Sequence, residues 1–430
     1  MRNPYRRLAA AIVASLASAP TYAQDEARVA PPEPLPLSWC LERAHSDNPE
    51  LAADEASAGA ARERIDPAGA LDDPRFGYEA SNIPVGDWDF SSSPLSGHQL
   101  TLGQKLPFPG LLRNRAKAAQ AGAETASSLL ADRRLRVAAA VERAWAELGF
   151  AQRALDITDQ NLDLLRQLAR IAETKYSVGT GLQQDVLRAQ VEVTRLLEER
   201  IQREARIRRS EASLAALLDL PPAVSLPRTD ELGERAPIPG LELLLDPLEA
   251  RNPLLKALAS QVVEEERMRR VAELEGYPDF DVGLGYRIRQ NVVGDPVDGD
   301  DFVSAGVKIR LPIDRSKWRA RVAERGALLR RAEANYRAAR AELREAIRAR
   351  HADLRRADAE LDLLEAGLVP QTRQSLEASR AGYEVDKVDF LSLIDSQVSL
   401  LEAELALVRA QADRRSAFAA LEAAVGETLR

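Results

Sequence analysis

Cysteine, methionine, histidine and aromatic residues are scarce in this chain of 430 residues. There is one cysteine, Cys40, so an internal disulfide is excluded, and aromatic residues make up only 5% of the sequence. Three histidines stand far apart, and Met268 is the only methionine after the initiator. Because zinc and soft metals are bound by clustered cysteine, histidine and methionine side chains, we predict no metal site and no cofactor.

Long apolar runs and catalytic motifs are missing as well. After residue 23 no run of about eighteen apolar residues occurs, so the sequence predicts no transmembrane helix. It also contains no glycine-rich loop that would hold a phosphate and no nucleophile paired with a base. We therefore predict that the protein has no catalytic residues and is not an enzyme.

Residues 1–23 have the pattern of a secretory signal peptide. Three arginines precede the apolar run from Leu8 to Ala19, and small residues lead to Ala23. Removal of this segment takes away three basic residues and no acidic one, so the net charge of −8 becomes −11 in the mature chain. Such a charge disfavours nucleic acid as a partner.

The remaining chain contains an internal duplication. The segment from Tyr176 to Val191 reappears from Tyr383 to Val398 at a spacing of 207 residues. The pair Asn48-Pro49 likewise reappears as Asn252-Pro253, 204 residues later. Two repeats follow, which cover residues 24–230 and 231–430.

Each repeat is predicted to hold a long helical hairpin. The segments 111–175 and 317–369 consist mainly of residues with high helix propensity. The first would be about 100 Å long as a helix. Large aliphatic residues recur every seven positions in the second, which is coiled-coil spacing, at Ile347, Leu354, Leu361 and Leu368. With the helices that return from their ends, the hairpins should cover residues of about 111–218 and 315–428.

Segments of alternating polarity precede both helical hairpins. Phe280, Val282 and Leu284 alternate with polar or small residues, a period of two that predicts a strand. The pattern returns after a loop rich in glycine and aspartate, so a β-hairpin is expected at about 278–311. The first repeat contains a corresponding pair of alternating segments, which predicts a second β-hairpin at about 74–106.

Four strands of this length, when tilted, are typical of an outer-membrane barrel. Alternation would turn the apolar face toward lipid and four basic side chains toward a wet interior, namely Arg287, Arg289, Lys308 and Arg310. Four strands cannot close and an open edge cannot face lipid, so the chain must assemble. Two copies would give a filled eight-stranded barrel, whereas three would give twelve strands and room for water. If the barrel is a duct for solutes, three copies are favoured. An amphipathic hairpin on a soluble sheet is the alternative.

The succession of elements resembles the TolC family of outer-membrane efflux proteins over essentially the whole mature chain. In each half, a helix that begins at Asn-Pro is followed by a strand pair, a long helix and a Tyr-x-Val tip. The first half also contains Leu-Pro-Phe-Pro-Gly, and the segment from Gln104 to Gly110 is most similar to the branch that serves heavy-metal and other cation exporters of the resistance-nodulation-division (RND) type. The predicted fold is mainly α with transmembrane β, internally duplicated.

That resemblance implies a homotrimer in the outer membrane of a Gram-negative type envelope. Four strands per chain would contribute to a twelve-stranded barrel, and the long coiled-coil helices would form a tunnel through the periplasm. The partners would be outer-membrane lipid, a periplasmic adaptor (membrane fusion protein) and an inner-membrane RND-type pump. The protein would be the exit duct of this tripartite efflux system, with metal cations among its expected cargo. No reaction and no cofactor would belong to the duct itself.

The ends of the helical hairpins are where the resemblance places a periplasmic gate. Asp185 and Asp395 match gate acids of the family, and three copies would form acidic rings that attract cations. Tyr383 matches a tyrosine that bonds to the acid of the first tip, here Asp185. Ser392 stands in place of a second acid, and Val388 in place of an arginine found in some members. We therefore expect a gate with fewer charges and fewer cross-links.

The turns at these tips carry residues suited to tight reversal. Glycine supplies backbone freedom at the first turn, and an aspartate, which tolerates the left-handed conformation, stands at the matching place in the second. The resemblance makes both turns the docking site of the adaptor. The residues assigned to it are Val178, Gly179, Gly181, Val385, Asp386 and Lys387.

Basic residues cluster at the start of both long helices. They are Arg113, Arg115, Lys117, Lys317, Arg319 and Arg321. Three interpretations remain open for them: contact with anionic lipid headgroups, lining of the upper tunnel, or simple solvation of a helix surface.

Two other classes of protein share part of this pattern. A periplasmic adaptor also has a secretion signal and a helical hairpin, but normally one hairpin flanked by small β domains. A soluble coiled-coil scaffold without a channel would explain the heptads. Neither class explains why a strand pair stands ahead of each long helix.

Overall fold

The structure, a computed structural model, describes residues 31–86, 88–221, 224–233 and 235–429. The predicted signal peptide, residues 1–23, lies outside the described residues. The helices of the first half are α1 (Leu37–Asp47), α2 (Pro49–Glu63), α3 (Ile65–Gly69), α4 (Leu111–Ser177) and α5 (Gln183–Leu217). Those of the second half are α6 (Leu241–Leu245), α7 (Leu248–Arg251), α8 (Pro253–Leu274), α9 (Arg315–Leu363), α10 (Val369–Glu384) and α11 (Phe390–Val425).

Four strands form one antiparallel sheet in the order β1-β2-β3-β4. They are β1 (Arg75–Ser81), β2 (Gly97–Leu106), β3 (Asp279–Ile288) and β4 (Phe302–Arg310). The two hairpins therefore begin and end within one residue of the bounds expected from alternation. Within the described chain, β1 and β4 each pair on one side only, so both outer edges of the sheet are open.

The sheet has one apolar and one polar face, because directly opposite residues of neighbouring strands point to the same side. One such row is apolar and consists of Tyr78, Leu100, Tyr286 and Val303. The adjacent row, on the other face, consists of the small residues Gly77, Thr101, Gly285 and Ser304. The apolar side chains are largely uncovered in the single chain; Phe76 is 72% exposed and Leu284 is 59% exposed.

Two asparagines join helices end to end. The Asn48 side chain accepts backbone N–H groups from the first turn of α2 and donates to the carbonyl of Leu217, at the end of α5, over 2.9 Å. Asn252 does the same for α8 and donates to the carbonyl of Ala424, near the end of α11, over 3.0 Å. A proline follows each asparagine, at the helical position where a missing N–H costs least. As a result, α2 begins where α5 ends, and α8 begins where α11 ends, so the helices of each pair are stacked end to end.

The helices form an open layer with two edges. The central helix α4 packs against α2 and α5 on one side and against α8 and α11 on the other, and α9 packs against α8 and α11. One edge is therefore α2 with α5, and the other is α9 with α10. The sheet follows the same order, since β1 comes after α2 and α3, and β4 leads into α9. No helix in the described part of the chain is long and apolar enough to cross a membrane.

A π-helical turn interrupts the second long helix at Leu364–Leu368. Ile347, Leu354 and Leu361 are buried as the heptad spacing predicts, but Leu368 is 42% exposed. A π turn adds one residue to the helix, so every later position is rotated by one step. Val369 takes the buried position instead, with 7% of its surface exposed. The prediction that Leu368 continues the row of heptad contacts was therefore wrong.

Candidate functional site

The two hairpin tips close with the same hydrogen bonds. At the first tip, the carbonyl of Lys175 accepts the N–H groups of the fifth and sixth residues after it, at 2.9 and 3.0 Å. At the second, the carbonyl of Gly382 accepts the corresponding pair at 2.8 and 3.3 Å. Gly179 and Asp386 occupy matching places in the two turns, and both have left-handed backbones, with φ of 81° and 60°. The turns are thus two copies of one structure.

At each tip, one position has no space for a side chain and is occupied by glycine. A Cβ on Gly181 would lie 2.9 Å from the backbone nitrogen of Tyr176. A Cβ on Gly382 would lie 2.4 Å from Cγ2 of Val388. Side chains at these positions would force the helices apart, so the sharp reversal depends on both glycines.

Lys175 connects the first tip to the second. Its Nζ lies 2.5 Å from Oδ1 of Asp386, 2.7 Å from the carbonyl oxygen of Tyr383 and 4.7 Å from the centre of the Tyr383 ring. The lysine side chain is only 16% exposed. Because the ammonium group meets a carboxylate, a carbonyl and an aromatic face together, it holds the two hairpins of one chain in place. Sequence reasoning missed this residue, since the ion pair joins positions 211 apart.

Tyr383 is packed between the tips. It is buried against Phe390, with ring centroids 5.4 Å apart. Its hydroxyl forms no hydrogen bond within the described residues, so the bond to Asp185 expected from the family resemblance is not formed. Burial raises the pKa of Tyr383, and the charges of Asp185 and Asp386 raise it further. Both carboxylates are therefore near the phenol without being bonded to it.

The charge of Asp389, in the second tip, acts on the carboxyl of Asp185, in the first. Burial raises the pKa of Asp185, and the nearby charge of Asp389 also raises it, against the lowering effect of the backbone hydrogen bond at Leu182. Asp389 caps α11, because its side chain accepts the N–H of Ser392 at 2.7 Å, and that bond holds the pKa of Asp389 below its usual range. The site therefore pairs a carboxyl that protonates early with one that stays charged. The sequence alone left Asp389 open between a gate acid and a solvated helix face.

The other predicted gate and docking residues lie around this cluster. Asp395 is exposed on α11, and no ion pair or hydrogen bond links its side chain to the first tip in the described chain. Ser392 donates its backbone N–H to Asp389 and also hydrogen-bonds that carboxylate through its side chain. Val178 and Val385 are 67% and 61% exposed at matching places in the two turns. The described residues contain no group of three or more histidine, cysteine, aspartate or glutamate side chains suited to a metal ion.

Three of the four basic residues predicted to line a barrel lie on the polar face of the sheet. Arg287 donates to Oε1 of Gln99 on the neighbouring strand at 2.9 Å. Lys308 is exposed on β4. Arg310, on the same strand, forms an ion pair with Asp279. Arg310 therefore has a charged partner on that face, whereas Arg287 has a neutral one.

The prediction was wrong for Arg289. This residue lies one position beyond the end of β3, and its side chain is 3% exposed. It forms an ion pair with Asp295 and donates to the carbonyl of Pro94 at 3.1 Å, so it ties together the two loops that follow β1 and β3. The alternation of polar residues continues past the end of β3 in the sequence. The Arg289 guanidinium nevertheless pairs with the loop carboxylate of Asp295 and does not lie on the face of the sheet.

Comparison with known proteins confirms the resemblance. A family model described as outer membrane efflux protein matches residues 40–219 and 244–427. The cobalt-zinc-cadmium resistance protein CzcC of Cupriavidus metallidurans is 25% identical over 292 residues, which make up 68% of each chain. The outer-membrane channel OprN has a TM-score of 0.76 at 21% identity over 91% of this chain and 89% of its own. The outer membrane protein VceC of Vibrio cholerae has a TM-score of 0.76 at 19% identity over 92% of this chain and 97% of its own.

These matches cover both halves of the chain and agree with its order of helices and strands. The family match places the protein in the outer membrane. The chain belongs to the outer membrane efflux protein family.

Proposed function

We propose that this chain is the exit duct of a tripartite efflux system. The observation that carries the proposal is a four-stranded sheet with one apolar face and two open edges, mounted on long helices. Such a sheet cannot face lipid alone, because the backbone groups at its edges would be unsatisfied. Three copies joined from β4 to β1 would close twelve strands. With strands about 4.8 Å apart and tilted by about 40°, the barrel would be about 24 Å wide between backbones.

In this proposal the duct supplies a passage and no reaction. A periplasmic adaptor would dock on the exposed residues of the two turns, among them Val178 and Val385, and an inner-membrane RND-type pump would deliver the cargo. CzcC is named for resistance to cobalt, zinc and cadmium, and the acidic tips of this chain would attract cations. We propose divalent metal cations as cargo on these two grounds.

The test of this proposal is the mass of the mature protein extracted from an outer-membrane fraction. Light scattering, with the detergent contribution subtracted, should give a particle of three chains that exists only with detergent. A water-soluble monomer or dimer would rule out the barrel and favour a periplasmic adaptor or a coiled-coil scaffold.

Removing the acids at the tips should weaken the cation preference of the inserted duct. We expect the double variant Asp185→Ala, Asp395→Ala to shift the reversal potential in a salt gradient toward zero, because fewer negative charges would stand at the entrance. Lowering the pH should act in the same direction, since the raised pKa of Asp185 lets it take up a proton before an ordinary aspartate would. Glu333→Ala with Glu342→Ala, two acids of α9 far from the tips, serves as the control. An unchanged potential would remove the gate assignment.

A further inference from the structure

The helices α2 and α9 stand at the edges of the layer, whereas α8 has a neighbour on both sides. α8 packs against α4 on one side and against α9 on the other, whereas α2, its counterpart in the first repeat, packs against α4. Within the described chain, no helix comparable to α9 lies on the second side of α2. The duplication therefore implies that a helix of the α9 type belongs there, and the chain's own α9 is on the opposite edge.

The edge formed by the upper part of α9 is basic. Residues 315–341 contain nine basic and two acidic side chains. Three of the arginines bind glutamates of the same chain at 2.5 to 3.5 Å. Arg319, Arg330 and Arg337 are instead exposed and form no ion pair with the part of the chain that the structure describes. They lie within about 20° of one another around the helix axis, so they form one stripe.

The edge formed by α2, α3 and the segment leading to β1 is acidic. Residues 49–75 contain seven acidic and three basic side chains. Glu63, Asp66 and Asp73 are exposed and form no ion pair among the described residues. The side of α2 away from its buried Leu51 presents small residues at intervals of three and four, which would let another helix approach closely; they are Ala53, Ala56 and Ala60.

The two charged stretches stand at the same height. Glu265 of α8 lies 3.5 Å from Arg325 of α9, and Glu275, which directly follows α8, lies 3.3 Å from Arg321. The repeat spacing of 204 residues carries this stretch of α8 onto residues 61–71 of the first repeat. The acids of that edge are therefore level with the upper part of α9, where the unpaired arginines begin.

We propose that the α2–α3 edge of one copy docks against the upper α9 edge of the next copy by charge complementarity. The proposal rests on the three-copy duct proposed above. The open strands β1 and β4 belong to the same two edges, so pairing the sheets brings these helices together. Because like edges repel, two copies cannot pair face to face around a two-fold axis, and head-to-tail contacts that close a ring are favoured.

Charge reversal on one edge should prevent assembly. We expect the variant R319E/R330E/R337E to lose about tenfold in trimer yield in detergent at low salt, measured by light scattering. E63K/D66K/D73K should lose a similar amount. The chain that carries all six changes should recover the trimer, because its edges are complementary again. When it is expressed together with tagged wild-type chain, the two should form separate trimers, since a mixed contact would join like charges.

A matched control keeps the number of charges the same. R267E/R269E/R270E reverses three arginines on α8, the helix between α4 and α9, and should leave the trimer intact, although Arg269 and Arg270 lose their pairs with Glu273 in the same helix. Circular dichroism would verify folding, and the neutral variant R319Q/R330Q/R337Q should show a smaller loss in the same direction. A trimer insensitive to the edge reversals, or free mixing of the six-residue variant with wild type, would overturn this interface. A wild-type chain that is not a trimer would instead overturn the proposed duct.

Discussion

Replacing Lys175 by methionine should loosen the tips and raise the single-channel conductance of the inserted protein. The substitution keeps the apolar stem and removes the charge that contacts Asp386 and the carbonyl of Tyr383. An exposed ion pair contributes about 0.5–1 kcal/mol. The loss would occur three times in a trimer, so the closed arrangement would be destabilised by about 1.5–3 kcal/mol, which changes its population by roughly 10- to 150-fold.

Lys387 provides the control for this experiment. It lies in the second turn, is exposed, and makes no side-chain ion pair among the described residues, so Lys387→Met removes the same charge from the neighbouring tip without breaking an ion pair. Asp386→Asn should act like Lys175→Met, because asparagine tolerates the left-handed backbone but carries no charge. Lys175→Arg should keep the connection. Equal conductance for Lys175→Met and Lys387→Met would show that Lys175 does not hold the tips.

Local patterns predicted the strands and turns well, because each signal is contained in a few neighbouring residues. Alternation of period two placed both hairpins within one residue of their observed ends. Glycine and aspartate at matching places predicted two left-handed turns, and Gly179 and Asp386 adopt that conformation. The same reasoning failed for Arg289 because alternation alone does not show where a strand ends and a loop contact begins.

Contacts between distant parts of the chain were beyond the reach of sequence reasoning. Nothing near Lys175 indicates that it meets Asp386, and nothing near Asp185 indicates that the charge of Asp389 raises its pKa. The π turn was also missed, since one inserted residue leaves the helical composition unchanged and only shifts which side chains are buried. The tip site was therefore located from sequence, but its ion pair and its pair of carboxylates emerged only from the packing of the two hairpins.

The strongest effect is expected for a charge placed on the apolar face of the sheet. Val282→Arg should prevent assembly in the outer membrane, because an arginine near the middle of a membrane strand costs about 2–4 kcal/mol in each chain. The residue lies in the middle of β3, on the same face as Leu284, which is 59% exposed in the single chain. Outer-membrane fractionation, followed by gel analysis of the folded trimer, measures the result.

Gly283→Arg provides the matched control, since it adds the same side chain one residue away on the opposite face. A Cβ there would lie 3.7 Å from its nearest neighbour, the carbonyl oxygen of Leu102, so the polar face has room. This variant should assemble, and three added guanidinium groups in the passage should lower its conductance and weaken its cation preference. If Val282→Arg assembled and Gly283→Arg did not, the face bearing Arg287 and Lys308 would be the one toward lipid. Because charged side chains are costly at that depth, such a result would contradict the barrel itself as well as the orientation of its strands.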